Sequence, residues 1–350
     1  MERAFVGLTS ATSARAGAGG HPCQGLYWAE GRPRTALIAT HYNVDFAEHY
    51  SAPYFAERGF GFLGWNTRYR GAEDLFHLDH ALTDIGAGVT WLREEARVER
   101  IVLLGNSGGG SLMAAYQAEA ATNGKLPKGD LYISLNAHPG RPEVLTNWMD
   151  ASVIDESDPV ATDPARDPFK PGPPYSADFI ARYRAAQQAR NQRVTDWAKA
   201  ELARLNAAGI PDRIFALFRT WADLRFMDPA IDPSNRPCPG CYAGSPPVAN
   251  RLPFGIGRAC TLRAWLSMWS LETSKCSGRA QLAKLGVPSL VVQSMADMGV
   301  FPSDAHAIFE ALAVSDKVLE FVPGAHYFED SEKHRIRAID LMADWIARHV

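Results

Sequence analysis

From Thr35 to Gly140 the chain alternates short apolar runs with longer stretches in which apolar residues recur every three or four positions. The runs "TALIAT" (35–40), "FGFLGWN" (60–66), "RIVLLG" (100–105) and "DLYISLNA" (130–137) are nearly unbroken by polar residues, as expected of strands buried on both faces. Between them, "FAEHYSAPYFAERG" (46–59) predicts a helix ended by Gly59. Leu78, Leu82, Ile85, Val89 and Leu92 form one helical stripe, and a third helix follows from Gly108 to about Ala121. The pattern resumes near the end of the chain. "PSLVVQS" (288–294) and "VLEFV" (318–322) predict strands, and "SDAHAIFEALA" (303–313) predicts a helix with Ser303 as N-cap. "SEKHRIRAIDLMADWIARHV" predicts a closing helix. This β-α repetition implies an α/β fold with a mostly parallel, doubly wound sheet and helices on both faces.

Residues 141–281 break the rhythm. "SDPVATDPARDPFKPGPPY" (157–175) is too rich in proline for regular structure. Ser176 then caps a long amphipathic helix, and further helical pieces are expected around 211–226 and 260–272. The predicted division is a core of residues 1–140 and 282–350 with a helical cap, 141–281, inserted between late strands over the carboxyl edge of the sheet. That edge is where ligands bind in such sheets.

Composition narrows the partners. The 350 residues are 46% hydrophobic and 21% charged, with a formal net charge of −3, so nothing in the charge balance points to nucleic acid or an anionic membrane. No apolar run approaches a membrane span, and "MERAFVGLTSATSARAG" lacks the apolar core of a signal peptide. The expectation is a cytoplasmic protein acting on a small molecule, with its oligomeric state open. Five cysteines, an odd number in a long chain, do not suggest a disulfide framework. Cys238 and Cys241 form a Cys-x-x-Cys pair that, with Cys260 and Cys276, has permissive spacing for zinc. The simpler reading is a Pro/Gly turn carrying two thiols and no metal.

The chemistry concentrates at Gly105-Asn106-Ser107-Gly108-Gly109, a G-x-S-x-G pattern between a strand and a helix. This is the context of a nucleophile elbow, which lifts a serine above the sheet while the following helix aims free N–H groups at developing negative charge. A phosphate loop would need a lysine after the glycines, but Ser111 and Leu112 stand there. A serine needs a base. His326, in a loop past the "VLEFV" strand, is the candidate, and Asp297, past the strand before it, is the carboxylate that would orient it. Asp304, Asp150 and Asp155 are rivals for that acid. The oxyanion donors would be the Gly108 amide and one from His41-Tyr42-Asn43, with Asn43 favoured over Tyr42.

On these residues the segments 35–140 and 285–350 resemble the α/β-hydrolase fold family, in its serine esterase and lipase branch with a cap insertion. The resemblance implies a triad of Ser107, Asp297 and His326 and no cofactor. One departure stands out: many family members have His-Gly where this chain has His41-Tyr42, so the tyrosine would either narrow that loop or put a phenol into the pocket.

The expected function is hydrolysis of a medium-sized, largely apolar or aromatic carboxylic ester through an acyl-enzyme. Amide, lactone, thioester or carbon–carbon hydrolysis and acyl transfer would use the same residues, and a non-catalytic binding protein on this scaffold is the alternative of another class. His41, Tyr42, Asn106, His138 and Trp221 are candidate substrate contacts. Arg219 and Arg225 could meet a substrate carboxylate or pair with acids such as Asp223 or Asp228.

Overall fold

The computed structural model describes residues 1–10 and 20–350. Residues 11–17 of the N-terminal stretch considered above for a leader lie outside the described residues. Alternate residues of each central strand face opposite sides of the sheet, and both sides are covered. Ile38 and Leu103 enter one apolar cluster while their neighbours Leu37 and Val102 enter the other, which explains why these strands read as continuous apolar runs.

Eight strands form one sheet: β1 (Glu2–Thr9), β2 (Pro22–Ala29), β3 (Thr35–Ala39), β4 (Gly61–Asn66), β5 (Arg100–Asn106), β6 (Leu131–Leu135), β9 (Ser289–Ser294) and β10 (Lys317–Val322). Their spatial order is β1-β2-β4-β3-β5-β6-β9-β10. Strand β2 pairs antiparallel with both β1 and β4, and the remaining pairs are parallel. The antiparallel β1 and β2 precede the first strand read from the sequence, because their exposed positions interrupt the apolar signal. Helices α1 (Ala52–Glu57) and α10 (Glu332–Ala347) cover one face, and α2 (Leu78–Glu94) and α3 (Gly109–Asn123) cover the other.

Three element predictions need correction. The helix expected over 46–59 is confined to α1, because residues 46–51 form turns in which the buried His49 ring bonds Ser51. Helix α9 (Pro302–Ala311) is capped at Phe301 rather than Ser303: the Asp304 carboxylate accepts the Phe301 N–H at 3.0 Å, and Ser303 donates instead to Asp232. Residues 211–226 are mostly extended. Strand β7 (Ile214–Ala216) pairs antiparallel with β8 (Ala259–Thr261), and Arg219 takes a left-handed φ of 59° that no helix accommodates.

Between β6 and β9 the chain leaves and re-enters the sheet through adjacent strands of backbone. Arg141 N–H donates to Cys276 O at 3.1 Å and Gly278 N–H to Pro139 O at 2.8 Å, pinching the insertion at its base. The insertion holds α4 (Arg141–Trp148), the long α5 (Ala177–Ala207), β7, the short turns α6 (Pro246–Ala249) and α7 (Leu262–Ala264), and β8. Helix α8 (Gly278–Leu282) then leads into β9. Ser176 caps α5 as its sequence implies, its hydroxyl accepting the Phe179 N–H at 3.2 Å.

Candidate active site

The turn between β5 and α3 is built from close approaches. A side chain on Gly105 would lie 2.5 Å from the Gly110 Cα, and one on Gly109 would lie 2.2 Å from the Thr40 carbonyl oxygen. These glycines are required by crowding. The left-handed residue is Ser107 itself, with φ of 57°, a conformation sparsely populated outside glycine and held here by its surroundings. Its N–H donates to Leu135 O at 3.1 Å, and its carbonyl accepts from Gly110 and His138 N–H at 3.2 Å each. Asn106 braces the turn from below: its amide donates to Leu135 O at 2.8 Å and its oxygen pairs with His49 Nε2 at 3.1 Å. Asn106 is fully buried with its side chain engaged, so it is not a substrate contact as expected from sequence.

His326 lies in the loop after β10. Its Nδ1 is 2.6 Å from Asp297 Oδ2, and its carbonyl accepts from Asn136 Nδ2 at 2.7 Å. Asn136 is a second left-handed residue (φ 44°), and its oxygen accepts the Ser294 N–H at 2.7 Å. One asparagine thus ties the ends of β6 and β9 to the histidine loop. Asp297 is 1% exposed, and its Oδ1 accepts the Gly299 and Val300 amides at 2.9 and 3.0 Å. The rival acids are committed elsewhere: Asp304 pairs with Arg225 at 3.1 Å, Asp150 with Arg219 at 2.8 Å, and Asp155 caps its own exposed turn at Ser157.

After β3, the His41 Nδ1 accepts the Asn43 and Val44 amides at 3.3 and 3.2 Å. This fixes the tautomer with hydrogen on Nε2, which sits 2.8 Å from the point a Gly108 side chain would occupy. The Asn43 amide favoured from sequence is therefore spent on its own loop. The Tyr42 and Gly108 amides have no partner among the described residues. The Tyr42 phenol does not enter a pocket. It is fully buried, 3.0 Å from Ser111 Oγ, with the Arg141 guanidinium 4.9 Å above its ring.

His138 lies beside His326 (ring centroids 6.4 Å apart) and against Trp148 (5.7 Å). Trp221 packs against Trp148, with ring centroids 4.9 Å apart and planes tilted by 31°, and donates its indole N–H to Phe254 O at 3.0 Å. It is one ring removed from the histidines, and works as packing within the insertion. Burial holds both His41 and His138 well below the usual histidine pKa, with Arg141 and His326 adding to the effect, so both are neutral near pH 7. Burial pushes the Tyr327 phenol, which interacts with Ser107, up to about 12.

Sequence reasoning missed Asn136, Arg141, Tyr242 and Tyr327. Each lies in or beside a motif singled out for another residue. Tyr242 directly follows the Cys-x-x-Cys pair, and its hydroxyl reaches Asp297 Oδ1 at 2.7 Å. The cysteines themselves are free thiols, and among the described residues no three His, Cys, Asp or Glu side chains converge as metal ligands.

Ser107, His41, His138 and His326 are each 5–6% exposed, so the site is closed over in this state. A cavity of about 590 Å³ lined by Ile154, Val194, Trp197 and Phe215 contains none of them and lies within the insertion.

Strand order, the left-handed serine at the β5–α3 turn and full-length structural likeness agree. The chain has the α/β-hydrolase fold. It is similar over its full length to an α/β hydrolase, GrgF, from a Penicillium species (15% identity, 99% of that chain, TM-score 0.58). It is also similar to the esterase domain of a Rhodothermus marinus protein (13% identity, 99% of each chain, TM-score 0.52). A third likeness is a monoglyceride lipase of Saccharomyces cerevisiae (13% identity, 95% of this chain, 92% of that one, TM-score 0.53). No family model and no curated protein matches the sequence. Among the described residues, no helix is long and apolar enough to cross a membrane.

Proposed function

We propose that this protein is a serine hydrolase that cleaves a carboxylic ester of a medium-sized, largely apolar or aromatic substrate, with residues 141–281 acting as its cap. The observation that carries the reading is the left-handed Ser107 at the strand–helix turn together with the His326–Asp297 pair. The esterase and lipase among its structural likenesses support it. In this reading Ser107 Oγ attacks the acyl carbon while His326 Nε2 takes its proton. Asp297 holds Nδ1–H and faces the imidazolium that results. The tetrahedral oxyanion is met by the Gly108 and Tyr42 amides at the amino end of α3. His326 returns the proton to the leaving alcohol, and water, activated by the same nitrogen, releases the acid. The aromatic wall of Trp148, Tyr242 and Tyr327 near His326 favours an apolar or aromatic acyl group.

The test is hydrolysis of p-nitrophenyl esters of increasing acyl length by the wild type and Ser107→Ala, with fluorophosphonate labelling alongside. The expected result is a chain-length optimum and a loss of kcat of at least about 10³-fold in the variant. Absence of both turnover and labelling in the wild type overturns the reading in favour of a binding protein. Product formation with an added alcohol, exceeding hydrolysis, would redirect it to acyl transfer.

A further inference from the structure

Tyr242 belongs to the insertion, 55 residues before Asp297 in the chain, yet its hydroxyl lies between Asp297 and His326. Its Oη is 2.7 Å from Asp297 Oδ1 and 2.8 Å from His326 Nδ1. A phenol has one proton. With the histidine Nδ1–H directed at Asp297 Oδ2, the Tyr242 proton goes to Oδ1, and a lone pair of Oη faces the histidine. The carboxylate then accepts from Tyr242, Gly299, Val300 and His326.

The acid loop is shaped to receive this ring. A side chain on Gly299 would stand 2.3 Å from the Tyr242 ring carbons. The ring rests 4.8 Å from that of His326 and 6.1 Å from that of Trp148, while part of the residue stays open to solvent at 38% exposure.

We propose that Tyr242 is a positioning residue of the active site, delivered by the insertion, which fixes the Asp297 carboxylate against His326. It rests on the hydrolase reading above for its consequence in turnover. Burial next to Asp297 pushes the phenol well above its ordinary pKa, so the donor stays protonated throughout the working range. The groups facing His326 are Asp297 from the loop after β9, Tyr242 from the insertion, Tyr327 from its own loop and the neutral His138 and His41. Tyr242 and Asp297 are the only two of them within hydrogen-bond distance of its Nδ1 among the described residues. The consequence is coupling: any movement of the 238–244 turn away from the core takes a donor off the acid, so the active site is complete only with the insertion seated.

Tyr242→Phe removes the hydroxyl and keeps the ring. The carboxylate loses a charge-assisted donor, becomes more basic, and raises the affinity of His326 for its proton; loss of the weaker neutral acceptor opposes this only in part. The expected result is a kcat about tenfold lower with KM little changed, and an acidic limb of the kcat/KM profile displaced to higher pH by about half a unit or more. Gly299→Ala keeps the hydroxyl but displaces it with the ring, since the added methyl would stand 2.3 Å from the ring carbons and 2.6 Å from Oη. It should reproduce the effect in the wild type and add little in a Tyr242→Ala background, whereas independent action of the two residues would give additive losses. Thermal melts of each variant separate misfolding from mispositioning. A Tyr242→Phe enzyme with wild-type kcat and an unmoved acidic limb overturns the proposal while leaving the hydrolase reading intact. If the wild type shows neither turnover nor labelling, the same question is read by NMR titration of His326. A higher pKa in Tyr242→Phe supports the positioning role, and an unchanged one overturns it.

Discussion

The sheet and the insertion bury their side chains by different means. In the sheet the interior is mostly apolar: Ile38, Leu103, Ile133 and Val292, with the aromatic Phe62 and Trp65, are essentially unexposed and packed by helices on either face, and one buried pair, Arg68–Asp84 at 2.6 Å, lies beside them. In the insertion the largest fully buried side chain besides the tryptophans is Arg190. Its guanidinium forks onto Glu156 at 2.6–2.7 Å and donates to the carbonyls of Asp150, Phe218 and Arg219. Asp223, also fully buried, pairs with Arg184 and Arg225 at 2.7 and 2.8 Å, and Arg225 reaches across to Asp304 of α9. The two arginines that could have met a substrate carboxylate are thus internal: Arg219 holds Asp150, and Arg225 joins the insertion to the core. A layered sheet closes its backbone hydrogen bonds within itself and is filled mainly by apolar side chains. An insertion with long irregular stretches leaves carbonyls inside it, and arginine, with five donors in a planar fork, satisfies several at once.

This contrast can be broken by substitution. The largest effect is expected at Arg190→Ala, which strands Glu156 and three carbonyls and should cost about 3–5 kcal/mol. Glu156 is 27% exposed at its side chain and can turn to water, which favours the lower end. Hydrogen exchange would show protection lost across 141–281 and kept in β3 and β5. Equal loss in both regions would mean that the insertion and sheet share one cooperative unit.

The next effect comes from acid. Burial lowers His49, which braces the serine turn through Asn106, to about 4 from an ordinary 6.5. The unfolded chain therefore takes up this proton first as pH falls. Stability is full above pH 6.5 and declines down to about 4, by roughly 3 kcal/mol for this residue, with His41 and His138 acting in the same direction. Urea midpoints measured between pH 7 and 4.5 should fall, and His49→Gln should flatten the slope. An unchanged slope would place the acid sensitivity elsewhere.

Within the sheet, Ile38→Val removes one buried methylene and should cost about 1 kcal/mol, read as a small shift of the denaturation midpoint with activity retained. At the bottom of the scale, the exposed Arg34–Glu99 pair joins the loop before β3 to the start of β5. Arg34→Gln should leave the midpoint unmoved, because exposed ion pairs offset little of their own ordering. A measurable loss there would show that exposed charge matters outside the insertion too.

The legibility of this chain followed the same division. Strands β3, β4, β5, β6, β9 and β10 are visible as apolar runs and helices α2 and α10 as a repeat of three to four, because a central strand is covered on both faces and a surface helix on one. The Gly105–Gly109 motif marks the serine turn locally, since the crowding that demands small residues is between near neighbours. Chain order also brought His326 and Asp297 forward as partners, both at the carboxyl ends of adjacent strands. What the sequence could not contain is contact between residues far apart in it. The approach of Tyr242 to Asp297, the use of Asn136 as a tie between two strands and the histidine loop, and the diversion of the Asn43 amide to His41 are set by loop geometry. So is the burial of Arg190, which by residue type alone reads as surface. Local signals, unbroken apolar runs and a glycine motif, determined six of the eight strands and the serine turn. The insertion and the lining of the site were decided only in three dimensions, where single polar groups find single partners and leave no period behind.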